Sequence, residues 1–444
     1  MCGVLVPVAF LLAAGGPVVA SASEGFGRPG VVTAALPGLS ATAQAIGVDA
    51  AGRITVAGAG FSDARQRQAF TMIRFLPDGQ RDPTFGTEGI VTEERPDRDG
   101  NDYSENVSMT MQPDGRFVVA GLVGVPLIEE GEDTGDRVDA IEVRRYMPDG
   151  TPDISFGAGG RRAVPFVGGE SSCGSSPDNV ALGPEGTILV TGSQGCGGEG
   201  DEEKDLIVAR LLADGSMDKS FGRAGLMRPS APNGGEGLAV TPRGRVLVAG
   251  SNLGTQVFAT GRLTVIRLGG DGAPDRRFGR RQAAFKGFPF STAADLVTDR
   301  KGRVLVAGTA FDERETRCAI GLVRLLANGR PDRTFNKTGT VTLATAPGAP
   351  NATTAVALGS NGAAVMTANL QTSTTSRAVV VRVRSNGRPD SRLGAGGQRT
   401  IAFAGKWTEA NDVAVLRDGT ILVAGASGRR LGNTDIALAR LLPP

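Results

Sequence analysis

Short apolar runs rich in Val, Ile and Leu alternate along the chain with polar pairs of the Asp-Gly and Asn-Gly type. Runs this brief, closed by residues that accept the positive φ of tight turns, predict β-hairpins and no long helix. The pattern also returns on itself. One half reads IGVDAAGRITVAG at 46–58 and recurs at 109–121, 180–192, 238–250, 296–308, 356–368 and 413–425. The other half reads RFLPDGQRDPTFGTEGIV at 74–91 and recurs from Arg145, Arg210, Arg267, Arg324 and Arg382, with a truncated copy at Arg440. The closing position of the first half falls at 58, 121, 192, 250, 308, 368 and 425, which makes seven units spaced 57 to 71 residues apart.

Each unit predicts four strands: one before the first glycine turn, one through the VAG, one carrying the Arg and one after the FGxxG. Four-stranded units repeated in this way predict an all-β protein, a seven-bladed β-propeller whose antiparallel blades bury their faces against their neighbours. The last unit stops before its fourth strand, whereas EGFGRPGVVTA at 24–34 has that strand's sequence. An N-terminal strand completing the last blade would remove the exposed edges that an open stack leaves. The domain organisation read from the sequence is therefore a signal peptide over 1–22 and one propeller over 23–444.

The D-G-x-x-D-x-x-F-G and VAG motifs, in fixed order over residues 24–444, resemble the bacterial delta-60 repeat family. Two departures stand out: Phe278-Gly279 is followed by no matching glycine, and Ala368 replaces the closing glycine of its unit. The resemblance implies an exported or surface-associated propeller, and the family brings no common activity with it.

Arg74, Arg145, Arg210, Arg267, Arg324, Arg382 and Arg440 share one register, and Asp82, Asp153, Asp218, Asp275, Asp332 and Asp390 follow eight residues after the first six. An Arg and an Asp on the two arms of every hairpin predict a pair or a capped turn, with the following Phe filling the gap between blades. A feature present in every unit supports the fold, so function is sought in what differs between units. Tyr146 aligns with Phe75 and Leu211 and reads as core.

The differences that stand out in sequence are insertions at 93–106, 121–139 and 192–205, all expected as loops on the face of the 2–3 connections and interblade links. They are acidic, through Asp97, Asp99, Asp102, Glu105, Glu129, Glu130, Glu132, Asp133, Asp136, Glu199, Asp201, Glu202 and Glu203, and Tyr103 is the aromatic among them. Variable loops on a fixed scaffold are the usual carriers of binding, so these residues are the expected binding face, against the plainer alternative of a solvated rim. Asp97, Asp99 and Asn101 alternate oxygen ligands as calcium loops do, but without the glycine and Glu positions of an EF-hand. Calcium is the one metal considered, and no other cofactor is expected. The basic stretch DRRFGRRQAAFKG at 275–287 lacks interleaved aromatics and reads as balanced surface charge.

Composition narrows the chemistry. The 444 residues contain no histidine, which excludes Ser-His-Asp and Cys-His nucleophiles and His-ligated metals. A net charge of +2 gives no global pull toward nucleic acid or an anionic membrane. The apolar run ending in Ala20-Ser21-Ala22 has the form of a cleaved export signal, though with no Lys or Arg before it, and no other stretch suggests membrane insertion. In an exported chain Cys173 and Cys196, on the two arms around Glu185, are a candidate disulfide, and Cys318 reads as an inert buried thiol. The sequence thus favours a secreted or envelope-associated monomeric binding module for an extracellular protein or glycan. The alternatives are a carboxylate-dependent hydrolase or lyase acting on polysaccharide and a structural envelope component. Two acids close together in a central cleft would favour the enzyme; a broad acidic rim would favour the binder.

Overall fold

A computed structural model describes residues 26–27, 30–62, 67–99, 106–129, 132–165, 174–195, 204–230, 232, 234–252, 261–283, 285–313, 317–344, 351–372, 374–430 and 432–443. Among them there is no α-helix, only strands and two short 3-10 turns. Five four-stranded antiparallel sheets follow one another along the chain. The first holds Ser40–Val48, Ile54–Ser62, Arg67–Phe75 and Ile90–Asp99; the second, Ser108–Met111, Phe117–Glu129, Glu132–Tyr146 and Arg161–Ala163. The third holds Gly174–Leu182, Ile188–Gly195, Lys204–Leu211 and Leu226–Met227; the fourth, Gly237–Val240, Val246–Asn252, Arg262–Leu268 and Arg281–Gln282. The fifth holds Phe290–Thr298, Val304–Phe311, Cys318–Leu325 and Thr340–Ala344.

The sixth and seventh repeats lie in one eight-stranded sheet. Asn351–Leu358, Ala364–Gln371, Ser376–Val383 and Gln398–Thr400 form one half, and Trp407–Val415, Ile421–Arg430, Asn433–Leu441 and Val31–Ala34 the other. A single parallel bridge, Ser376 to Trp407, joins the halves. The segment expected to complete the last unit does pair there: Val31 faces Ala439 and Ala34 faces Ile436.

The repeated motif explains how neighbouring units pack. The core divides into hydrophobic clusters, each shared by two consecutive units and each holding one motif aromatic: Phe85, Phe156, Phe221, Phe278 and Phe335. Leu393 takes that place between units six and seven, and Phe26 lies in a cluster that joins the seventh unit to the first. The Asp-Gly turn needs its glycine twice over. Gly150 has φ 89°, and a Cβ there would sit 2.9 Å from the Phe85 ring of the preceding unit; Gly79, at φ 86°, meets Phe26 at 3.0 Å in the same way.

The Arg and Asp of the motif pair as expected. Arg74, Arg145, Arg210 and Arg324 each donate from Nε to the Asp eight residues later at 2.8 Å, and Arg267 does so to Asp275 at 3.0 Å. The Arg382 to Asp390 contact is longer, 3.4 Å, because Asp390 is also held by Arg392 and Arg384. The same guanidiniums lie over the motif Phe rings, at 4.3 Å for Arg324 over Phe335. They also donate to a turn carbonyl of the next unit: Arg74 to Pro148, Arg145 to Ala213, Arg210 to Gly270, Arg267 to Ala327 and Arg324 to Ser385. Arg440 donates to Pro77 O of the first unit at 3.2 Å. At the Asp, burial alone would raise the pKa, but bonds from Thr84 and Arg74 outweigh it and hold Asp82 below the usual carboxylate range.

Two sequence expectations change here. The 121–139 insertion is not a loop: it extends the second and third strands of its unit into a long hairpin, paired from Phe117 with Tyr146 out to Glu129 with Glu132. The link after Ile90 likewise continues as strand as far as Asp99, which pairs with Arg67. Val, Ile and Thr at 117–128 and 134–141 carry enough strand propensity to extend the ladder despite the glycines between them.

Candidate ligand-binding site

Of the residues singled out in the sequence, Asp97 and Asp99 lie at the end of the Ile90–Asp99 strand, and Glu129, Glu132, Asp133 and Asp136 lie on the long hairpin of the second unit. Asn101, Asp102, Tyr103, Glu105, Glu130, Glu199, Asp201, Glu202 and Glu203 lie outside the described residues, as do Cys173 and Cys196 and the whole of 1–22. The neighbours of the two cysteines, Gly174 and Gly195, are paired across the third sheet. Cys318 is only half-buried, more open than expected. Tyr146 is core, 1% exposed, stacked on Phe70 and donating to Glu93 Oε1 at 2.9 Å. Glu93, the first acid of the 93–106 segment, is therefore structural: it also takes Arg161 at 2.6 Å. In the basic stretch, Asp275 is spent on Arg267, and Arg281 lies 6.0 Å over Phe278.

The cavity lies elsewhere, at a register that the repeat makes easy to define. Two residues before the start of each VALxxDG-like half stand Gln44, Val107, Asp178, Glu236, Ala294, Thr354 and Asn411. In the first, third, fifth, sixth and seventh units the first strand shifts register beside this position, as between Pro177 and Asn179 or Ala410 and Asp412, where the extra residue lies. A bulge turns a side chain out of the ladder. Six of the seven, all but Thr354, line one cavity of 440 Å³. Ser40, Thr42, Phe61, Gln68, Glu409, Gly432 and Thr434 complete much of its wall, at the sheet ends that carry the 2–3 connections and the interblade links. This is the face on which the sequence placed variable function, but the residues come from the first strands of the units, in most of them mid-strand beside the bulge, and at the strand start for Val107 and Glu236.

Around the cavity, side chains tie each unit to the next. Gln44 Oε1 accepts from Val107 N at 2.9 Å, and Ser108 Oγ accepts from Val180 N at 3.1 Å. Asp178 Oδ2 accepts from Gly235 N at 2.9 Å, while Asn179 Nδ2 donates to Glu236 O at 3.1 Å. Asp295 Oδ2 accepts from Val356 N, and Thr354 Oγ1 donates to Ala410 O, at 2.9 and 2.6 Å. Between the seventh unit and the first, Asp412 Oδ2 accepts from Ile46 N at 2.8 Å and Asn411 Nδ2 donates to Ala43 O at 3.0 Å. Between the fourth and fifth there is no room for such a side chain: a Cβ on Gly237 would lie 2.8 Å from Leu296 N.

Three carboxyls here are pushed up. Burial raises Asp295 to about 8, with the negative charge of Asp412 adding to it, and burial raises Asp412 to about 6. Glu236 is raised to about 8, by burial first and then by the charge of Asp178. Glu236 is partly exposed as a residue, yet its Oε2 is enclosed and has no hydrogen-bond partner. Asp295 and Asp412 are committed to backbone amides; Glu236 and Asp178 line the cavity. Among the described residues no group of three or more His, Cys, Asp or Glu is placed to hold a metal ion.

In sequence, residues 52–85, 184–221, 302–335 and 416–443 match a family model described as a β-propeller domain of unknown function, DUF5122. Among curated proteins none matches the chain. Among solved structures, a polysaccharide lyase described as an ulvan lyase of a new family is similar at TM-score 0.52 and 10% identity, over 90% of this chain and 94% of that one. A protein of unknown function from Dyadobacter fermentans is similar at TM-score 0.46 and 12% identity, over 76% and 94%. An α-L-arabinofuranosidase from Fusarium graminearum is similar at TM-score 0.43 and 10% identity, over 77% and 94%. At 10% identity the likeness to the lyase speaks for the fold alone. The chain is a β-propeller.

Proposed function

We propose that this is a closed seven-bladed propeller, of the delta-60 type and exported through its first 22 residues, which binds a small hydroxyl-rich ligand of the saccharide class in its axial cavity. Closure is supported by the contacts between the last unit and the first: the Val31–Ala34 strand, Asp412 to Ile46, and Arg440 to Pro77. The binding reading rests on one observation: a single register, contributed by six units, lines a 440 Å³ cavity with a different side chain from each. A purely structural axis would repeat its residues as the outer Arg and Asp repeat. The volume lies in the range of small-molecule sites. A wall of hydroxyl, amide and carboxylate groups with Phe61 as its one aromatic suits hydroxyl-rich ligands. Calorimetric titration of neutral mono- and disaccharides tests this: Asn411→Ala and Gln44→Ala are expected to weaken binding at least tenfold, about 1.4 kcal/mol, and saccharide binding indifferent to both would refute the site.

A second reading is favoured by Glu236 and Asp178. Glu236 holds its proton near neutrality and Asp178 lines the same cavity; a protonated acid with a second carboxyl in reach is what glycoside-cleaving pairs use. Release of reducing ends or of unsaturated product from polysaccharide, lost in Glu236→Gln, would establish catalysis. Asp97, Asp99 and Asn101 are proposed to hold calcium. Its test is a rise of the unfolding midpoint in calcium that Asp97→Ala abolishes.

A further inference from the structure

The axial cavity differs in charge from the rest of the molecule. The chain as a whole carries +2, but the described lining residues include three carboxylic acids, Asp178, Glu236 and Glu409, and no Lys or Arg. Several nearby donors are already spent on the protein: Asn411 Nδ2 on Ala43 O, Trp407 Nε1 on Glu409 Oε1 at 2.7 Å, and Gly235 N on Asp178. The enclosed Glu236 Oε2 has no hydrogen-bond partner among the described residues, although backbone amides, that of Ser251 among them, help the carboxyl as a whole. An enclosed carboxyl oxygen without a donor is costly, and a charge-assisted hydrogen bond is the interaction that relieves it most. At the same register Ala294 of the next unit and Val107 of the unit before Asp178 offer no polar side chain.

We infer that the ligand of this cavity carries a cationic amine, seated against Asp178 and Glu236, so that the ligand class is an amino sugar or a similarly small hydroxylated amine. The inference rests on the axial cavity being the ligand site. A primary ammonium brings three donors to an acceptor-rich wall, and its charge offsets both the burial that chiefly raises Glu236 and the repulsion from Asp178 that adds to it. A bare metal ion fits less well, because a 440 Å³ space leaves it far from most of the wall and the two acids have no third acidic partner among the described residues.

The test is calorimetric titration of the full chain with glucosamine, N-acetylglucosamine and glucose at low salt. The amine is expected to bind about tenfold or more tightly than either neutral sugar, and that preference is expected to shrink to about twofold or less in Glu236→Gln and in Asp178→Asn. Retained binding of the neutral sugars by the variants reports that they still fold. Equal affinity for all three sugars in the native chain keeps the cavity as a saccharide site and overturns the cation. An amine preference that survives both substitutions overturns the assignment of its partners, and binding of none of the three overturns the cavity reading together with this one.

Discussion

The outer hairpins and the axial register are both contributed once per unit, yet they behave oppositely. At the hairpins, Arg, Asp and Phe recur almost unchanged, and Arg74, Arg145, Arg210, Arg267 and Arg324 are each held by their own Asp, a ring and a neighbouring carbonyl. At the axis, Gln44, Val107, Asp178, Glu236, Ala294, Thr354 and Asn411 share a position and no chemistry. Uniformity is what a packing device needs, because every joint poses the same problem. Variety at one register is what a site needs, because a ligand without the symmetry of the repeat must be met differently on each side.

The largest effect that follows from this contrast is at the hairpin. Arg324→Ala leaves Asp332, 2% exposed, with only the more distant Arg303 at 3.6 Å and uncovers Phe335, so denaturant unfolding is expected to show a loss of about 3 kcal/mol. Phe335→Ala is expected to cost about 3–4 kcal/mol, whereas Phe335→Leu, which copies Leu393 of the next joint, is expected to cost about 1 kcal/mol by the same measurement. The sixth unit provides the weak end of the series. Asp390 is held by Arg382, Arg384 and Arg392, so Arg392→Ala should move the denaturation midpoint least of all.

The axial acids add a pH dependence of defined sign. Asp412, Asp295 and Glu236 hold their protons in the folded state to about 6, 8 and 8, above their values in the unfolded chain. Their stabilisation is complete below the unfolded values and is lost as pH rises through the folded ones, so the thermal midpoint should fall between about pH 4 and 8. Asp295→Asn, which keeps an oxygen for Val356 N, should flatten that fall. An unfolding midpoint that rises over the same interval would show that these acids ionise freely in the fold.

Much of the fold is legible in the sequence because the repeat states it seven times. The eight-residue spacing of Arg74 and Asp82 gives the hairpin and its pair, the following Phe gives the joint, and the likeness of 24–34 to a missing fourth strand gives the pairing with Asn433–Leu441. The site was not legible, because acidic density drew attention to the insertions while Asp178 and Glu236 stand 58 residues apart in SSPDNV and GGEGL, with nothing local to mark them. What brings them together is a bulge, or for Glu236 the strand start, recurring in successive units, and a bulge is a register shift that composition does not announce. The usable signal was the column itself: aligned on the VALxxDG half, it changes in kind from Gln44 through Val107 and Asp178 to Asn411 beside an apolar run that recurs in every unit.

The central claim is that the outer motif holds the fold while the axial acids serve a ligand, and the denaturation midpoint of Glu236→Gln near pH 8 tests it most directly. The account predicts a midpoint equal to or above that of the native chain, since the change removes an enclosed carboxyl with an unpartnered oxygen. A loss comparable to that of Arg324→Ala would contradict it and would make Glu236 part of the scaffold.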